Sequence, residues 1–95
     1  MIRRIYSAIY NRYTMRALVH VTLKKTVLDV QGKTIQGALQ KQGYKIAQGV
    51  RQGKFFEIEL ASGTPRDAAK TEAEKIAREV LTNPVMEEFT CEIAD

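Results

Sequence analysis

The sequence predicts a small α+β domain. It should be a two-layer sandwich of order βαββαβ, with two helices on one face of a four-stranded, mostly antiparallel sheet, ferredoxin-like in connectivity. Three observations predict this. Apolar residues alternate with period two near both ends of residues 15–95 and again in the middle; two intervening stretches carry apolar residues at helical spacing; glycine, proline and asparagine punctuate the joins.

The first strand is read from Arg16 to Lys24, where Ala17, Val19, Val21 and Leu23 share one face and Leu18, His20 and Thr22 the other. Asp29 is suited to cap the helix that follows, over residues 31–42. Its stripe of Ile35, Ala38 and Leu39 ends at Gly43. Gly32 and Gly37 each weaken this helix by roughly 1 kcal/mol relative to alanine, so packing must hold it. Tyr44 to Arg51 reads as a weak second strand, and Gln52-Gly53 as a hairpin turn into a third, in which Phe56, Ile58 and Leu60 alternate with Phe55, Glu57 and Glu59. Thr64 is placed to cap a second helix, with Pro65 as its first residue and Ala69, Ala73, Ile76, Ala77, Val80 and Leu81 along one face. Asn83-Pro84 stops it. Phe89, Cys91 and Ile93 alternate with Glu88, Thr90 and Glu92 in the last strand.

Residues 15–95 thus form one domain with no internal repeat or linker. Residues 1–14 carry Arg3, Arg4 and Arg12 without an acid, together with Tyr6, Tyr10 and Tyr13; they are expected to be a basic N-terminal extension, flexible or non-native, ahead of a start at Met15. The net charge of +4 rests mostly on that segment, because residues 15–95 hold 12 Lys plus Arg against 11 Asp plus Glu. A surface so nearly neutral gives little sequence-independent affinity for nucleic acid. No apolar run reaches the ~18–20 residues of a membrane span. The lone Cys91 cannot form an internal disulfide, which fits a cytoplasmic protein.

Catalytic inventory is poor. His20 and Cys91, each the sole residue of its kind, lie on the first and last strands and should face opposite sides of the sheet, so they make no nucleophilic pair. They also provide too few ligands for zinc. Glu57 and Glu59 share a face but read as a solvated surface. Gly53-Lys54 lacks the spacing of a phosphate loop and opens no helix. No catalytic or metal-binding residue is therefore expected. One alternative is a small ferredoxin-like nucleotide- or RNA-binding module using Arg51, Lys54 and Phe55. Against it, Phe55 and Phe56 should point to opposite faces, and Leu18 and His20 stand where stacking aromatics would be needed. The sheet face without helices would expose Leu18, His20 and Phe55, which makes them candidates for self-association.

Three short signatures remain: Leu28-Asp29-Val30-Gln31-Gly32, Val50-Arg51-Gln52-Gly53-Lys54 and Leu81-Thr82-Asn83-Pro84-Val85. Together they resemble the PurS family, the small subunit of bacterial phosphoribosylformylglycinamidine synthase. The family pattern runs V-L-D-P-Q-G, then V-R-x-G-K before an aromatic strand, then L-x-N-P-x-x-E. Val30 stands in place of the usual proline, and Phe89 where an aromatic, often tyrosine, closes the last motif.

The resemblance implies a non-catalytic assembly subunit of a glutamine-dependent C–N ligase in purine biosynthesis. That ligase converts formylglycinamide ribonucleotide, glutamine and ATP to formylglycinamidine ribonucleotide. The implied partners are a PurL-like synthetase subunit, a PurQ-like glutaminase subunit and further copies of this chain, as dimer or tetramer, with no nucleic acid and no membrane. ATP and Mg would be used by the complex, with no cofactor bound by this chain. The matching motif positions Asp29, Gln31, Arg51, Gly53, Lys54 and Asn83 become candidates for the partner interface.

Overall fold

The alternation in Arg16–Leu23 buries Ala17, Val19 and Val21 completely, and this strand, β1, is the centre of the sheet. The computed structural model describes residues 15–94. The expectation for residues 1–14 lies outside the described residues. After β1 come helix α1 (Val30–Lys41), strand β2 (Gly53–Glu59), helix α2 (Arg66–Ile76) running on into a π-helical turn (Ala77–Leu81), and strand β3 (Glu87–Ala94). The sheet order is β2-β1-β3. Both neighbours of β1 are antiparallel to it, with Val19 opposite Phe56 on one side and Cys91 on the other.

The core lies between this sheet and α2. Ala69, Ala73 and Ala77 follow one another at i, i+4 and are buried, so α2 sits close to β1 and β3, with Ala17, Val19, Val21 and Ile93 beneath it. Small side chains permit that approach. They also make a thin core, of which only Val19, Val21 and Ile93 are larger than alanine.

Four expectations are corrected. The described residues hold three strands, because residues 44–52 form none. This segment instead runs back along α1, where Gln36 Nε2 donates to the Gln48 carbonyl (2.8 Å) and Gln40 Nε2 to the Ala47 carbonyl (2.7 Å), so its backbone is partnered by helix side chains. Secondly, the two helices do not share a sheet face: α1 makes no packing interface with the sheet or with α2. Its stripe is too short to compete with the bonds that hold its two ends, and it projects with the return segment as an arm. Thirdly, Gly53 is no hairpin turn; it opens β2, and positive φ occurs at Gly43 (93°) and Gly63 (81°) instead. Lastly, Val80 is 74% exposed. The π-helical turn changes the angular step between residues, so Leu81 packs inward and Val80 is rotated out.

A fifth expectation, the Thr64 cap with Pro65 as first helical residue, also fails: Pro65 takes the cap position itself, α2 opens at Arg66, and Thr64 Oγ1 is spent on the Ala61 carbonyl at 2.6 Å, so it donates nothing to the helix start. Among the described residues no helix is long and apolar enough to cross a membrane.

Candidate partner interface

The three signatures are far apart in sequence but meet at one end of the sheet, where the arm is rooted. Asp29 is the keystone. The residue is 5% exposed. Oδ1 accepts from the Gly32 amide at 2.8 Å, which caps α1, and Oδ2 accepts from the Gln52 amide at 2.7 Å, which ties the returning chain to the helix start. The Gln52 and Gly32 amides, aided by the Arg51 charge and opposed by burial, hold this carboxyl below its ordinary 3.8.

Arg51 closes the root from the other side. Nη2 donates to the Leu23 and Lys24 carbonyls (3.2 and 3.0 Å), and Nη1 to the Val27 carbonyl at 3.3 Å. A planar guanidinium can span three carbonyls at a chain reversal in a way a lysine cannot. Gln52 Nε2 donates to Gln31 Oε1. Gly53 is required by close approach: a Cβ there would lie 2.7 Å from the Val21 carbonyl oxygen and 2.9 Å from Thr22 Cγ2.

The third signature joins through charge and turn chemistry. Asn83 Oδ1 accepts from the Val85 amide at 3.0 Å, and the Asn83 amide donates to Glu87 Oε1 at 2.8 Å. Lys54 Nζ lies 3.4 Å from Glu87 Oε2. The Asn83 amide, more than Lys54, holds the Glu87 carboxyl below its ordinary 4.5. Lys24 Nζ donates to the Pro84 carbonyl at 2.8 Å. Asp29, Gln31, Arg51, Gly53, Lys54 and Asn83 are thus brought together, and all but Gly53 have their functional side-chain groups engaged within the chain.

Leu18, His20 and Phe55 lie on the opposite, helix-free sheet face. The His20 and Phe55 rings are 4.7 Å apart, and Phe55 is 53% exposed. Cys91 faces α2, where burial first and the Glu74 charge second push its thiol above the ordinary 9.0. Glu57 is bound by Arg16 (Nη1 to Oε1, 2.7 Å), so Glu57 and Glu59 do not form an isolated carboxylate pair. Among the described residues no three of His, Cys, Asp or Glu converge in a metal-binding group.

Sequence reasoning missed the arm itself. Its exposed Tyr44 and Ile46, the latter 94% accessible, were readable only as a poor strand.

A family model described as PurS, phosphoribosylformylglycinamidine (FGAM) synthase, matches residues 16–95, all but the first 15 residues of the chain. The chain belongs to the PurS family. Phosphoribosylformylglycinamidine synthase subunit PurS of Mycobacterium leprae is 44% identical over 75 residues, covering 79% of this chain and 90% of that protein. The crystal structure of Methanocaldococcus jannaschii PurS superposes with a TM-score of 0.77 at 30% identity, over 85% of this chain and 96% of that one. A chain of the PurLQS structure from Thermotoga maritima superposes with a TM-score of 0.74 at 25% identity, over 85% and 98%. PurS membership accounts for the presence of the three signatures together in one chain, which local turn and cap chemistry alone does not. It also disfavours an RNA-binding module. In this PurS chain Arg51 is spent on backbone carbonyls, and Phe55 and Phe56 stand on opposite faces of β2.

Proposed function

We propose that this chain is the non-catalytic assembly subunit of a cytoplasmic, glutamine-dependent phosphoribosylformylglycinamidine synthase. It joins a PurL-like synthetase and a PurQ-like glutaminase and binds no cofactor of its own. One observation carries the reading: the family signatures converge on the root of a projecting arm, and their polar groups brace that arm rather than confront a cavity. A nucleophile or acid–base pair needs a free, activated group beside a substrate site. Braced backbone at a junction serves instead to hold two surfaces at a fixed angle. The exposed outer parts of Gln31 and Lys54 are the root positions we assign to partner contact. The PurLQS structure from Thermotoga maritima supports the identity of the partners.

The test is assembly. Tagged chain is mixed with the PurL-like and PurQ-like proteins encoded by the same genome, and the mixture is analysed by sedimentation. The expected result is a complex containing all three, formed only when this chain is present. A PurL–PurQ complex that forms without it and excludes it would overturn the proposal.

A further inference from the structure

The described residues leave the helix-free face of the sheet uncovered, and its charge is one-sided. Arg16, Leu18, His20 and Thr22 point outward on β1, beside Phe55, Glu57 and Glu59 on β2 and Glu88, Thr90 and Glu92 on β3. Phe55, in contact with His20, and half-buried Leu18 form an apolar centre. Around it lie four acids against Arg16, a net of −3. Among the described residues only Glu57 of these acids is paired, with Arg16. Glu59, Glu88 and Glu92 are exposed.

Residues 1–14 match that face in both respects. Arg3, Arg4 and Arg12 give them a net of +3 with no acid. Ile2, Ile5, Tyr6, Ile9, Tyr10 and Tyr13 recur at i, i+3, i+4, i+7, i+8 and i+11, the spacing of an amphipathic helix whose apolar stripe covers about 140°. Arg12 flanks one edge of the stripe and Arg3 the other, while Arg4, Ser7, Ala8 and Asn11 fall opposite. These residues precede the region that the PurS family shares, so they are an addition to it.

We propose that residues 1–14 fold back as a helix over the helix-free sheet face of their own chain, with Arg12 beside Glu59 and Arg3 beside Glu88. Handedness selects this pairing. The Met15 carbonyl accepts from the Leu60 amide and the Lys24 amide donates to the Met86 carbonyl, so odd residues of β1 bond to β2 and even ones to β3. For L-residues this sets β2 on the left and β3 on the right when the helix-free face is viewed with β1 running upward. A helix folded back through residues 13–15 runs downward, and its right-handed turn aims Arg12 at β2 and Arg3 at β3. Arg12, next to the turn, meets Glu59, the partner of Arg16; Arg3, at the far end, meets Glu88, the partner of Thr22. The two arginines are about 14 Å apart along such a helix and the two glutamates about 20 Å apart along the sheet, a difference that long side chains span. Ile5, Tyr6 and Ile9 then lie over Leu18, His20 and Phe55.

Other occupants fit this face less well. A second copy related by a two-fold axis would set Glu59, Glu88 and Glu92 against like charges. An anionic membrane would attract the arginines but repel the acids beside them. So short a tether also gives residues 1–14 a high effective concentration at the face. The contact lies within one chain and is independent of PurL and PurQ binding.

The test uses the full chain. Arg3→Lys and Arg12→Lys keep the charge and supply amines for zero-length carbodiimide crosslinking of mixed ¹⁴N and ¹⁵N chains. Links should join position 12 to Glu59 and position 3 to Glu88, each within one isotopic label. In the parent chain, docking should slow tryptic cleavage after Arg12. The double variant Glu59→Gln, Glu88→Gln should speed that cleavage at least ~10-fold, as should Phe55→Ser, because each raises the undocked population. Val80→Ser, on the other side of the sheet, should leave it unchanged. All four side chains are exposed, so every variant should still unfold in one cooperative transition. Absence of the two links, links to carboxylates of α2, or links of mixed isotopic label would each overturn the proposal. So would cleavage after Arg12 that is indifferent to Glu59, Glu88 and Phe55, or protection that appears only when vesicles of phosphatidylcholine and phosphatidylserine are added.

Discussion

Gly32 and Gly37 lie in the same helix, and alanine at each should move stability in opposite directions. Helix propensity favours alanine over glycine by about 1 kcal/mol at either position. At Gly37 nothing lies within 4 Å of the added Cβ, so that gain should be realised. At Gly32 the Cβ would fall 2.2 Å from the Val50 carbonyl oxygen and 2.7 Å from Asp29 Oδ2. Neither neighbour can yield cheaply. Val50 precedes Arg51 and Gln52, both bound into the root, and moving Asp29 breaks the helix cap. Overpacking against backbone costs about 3 kcal/mol at its upper range, which leaves a net loss of ~2 kcal/mol after the propensity gain. At ~4–8 °C per kcal/mol for a domain this small, Gly37→Ala should raise Tm by about 4–8 °C and Gly32→Ala lower it by about 8–16 °C. Thermal melts followed by circular dichroism, at one fixed protomer concentration, read both. If Gly32→Ala stabilises as much as Gly37→Ala, the return segment does not lie against the helix start and the arm is wrongly described.

Arg51→Ala should cost roughly 1 kcal/mol of fold stability, since three carbonyls lose their donor, whereas Lys54→Ala, which removes a half-exposed ion pair, should cost less than ~0.5 kcal/mol; urea midpoints that reverse this order would remove Arg51 from the brace. The folded carboxyls of Asp29 and Glu87 lie below their ordinary values, so their contribution to stability is complete above those values and is lost as pH falls through the lower folded ones. Unfolding free energy should therefore fall as pH drops below about 4. Asp29→Asn should flatten that fall, and an unchanged pH slope in this variant would show that the root carboxylate does not bind as described.

The strands were readable because burial imposes period two: Ala17, Val19 and Val21 point inward as their alternation requires, and Cys91 and Ile93 do the same on β3. The Asp29 cap was readable because its chemistry is local. The arm was not. Its formation depends on Arg51 reaching carbonyls 24 to 28 residues earlier and on Gln36 and Gln40 claiming the backbone of residues 47–48, contacts that leave no periodic trace. Tyr44 and Ile46 have the composition of a strand, and only the competing glutamine donors decide otherwise. For the candidate site, the residues were legible as motifs, but their meeting at one root was not. Asn83 and Lys54 are joined through Glu87, a residue that in sequence looks like one more solvated acid.

If the proposed role is right, this chain enables a reaction whose chemistry resides in its partners. Glutamine-dependent formation of formylglycinamidine ribonucleotide from formylglycinamide ribonucleotide and ATP, measured with PurL-like and PurQ-like proteins in the presence and absence of the chain, tests it most directly. The expected outcome is no turnover by the chain alone, little by the other two without it, and full glutamine-dependent activity when all three are mixed. Equal activity with and without the chain, or turnover by the purified chain itself, would contradict it.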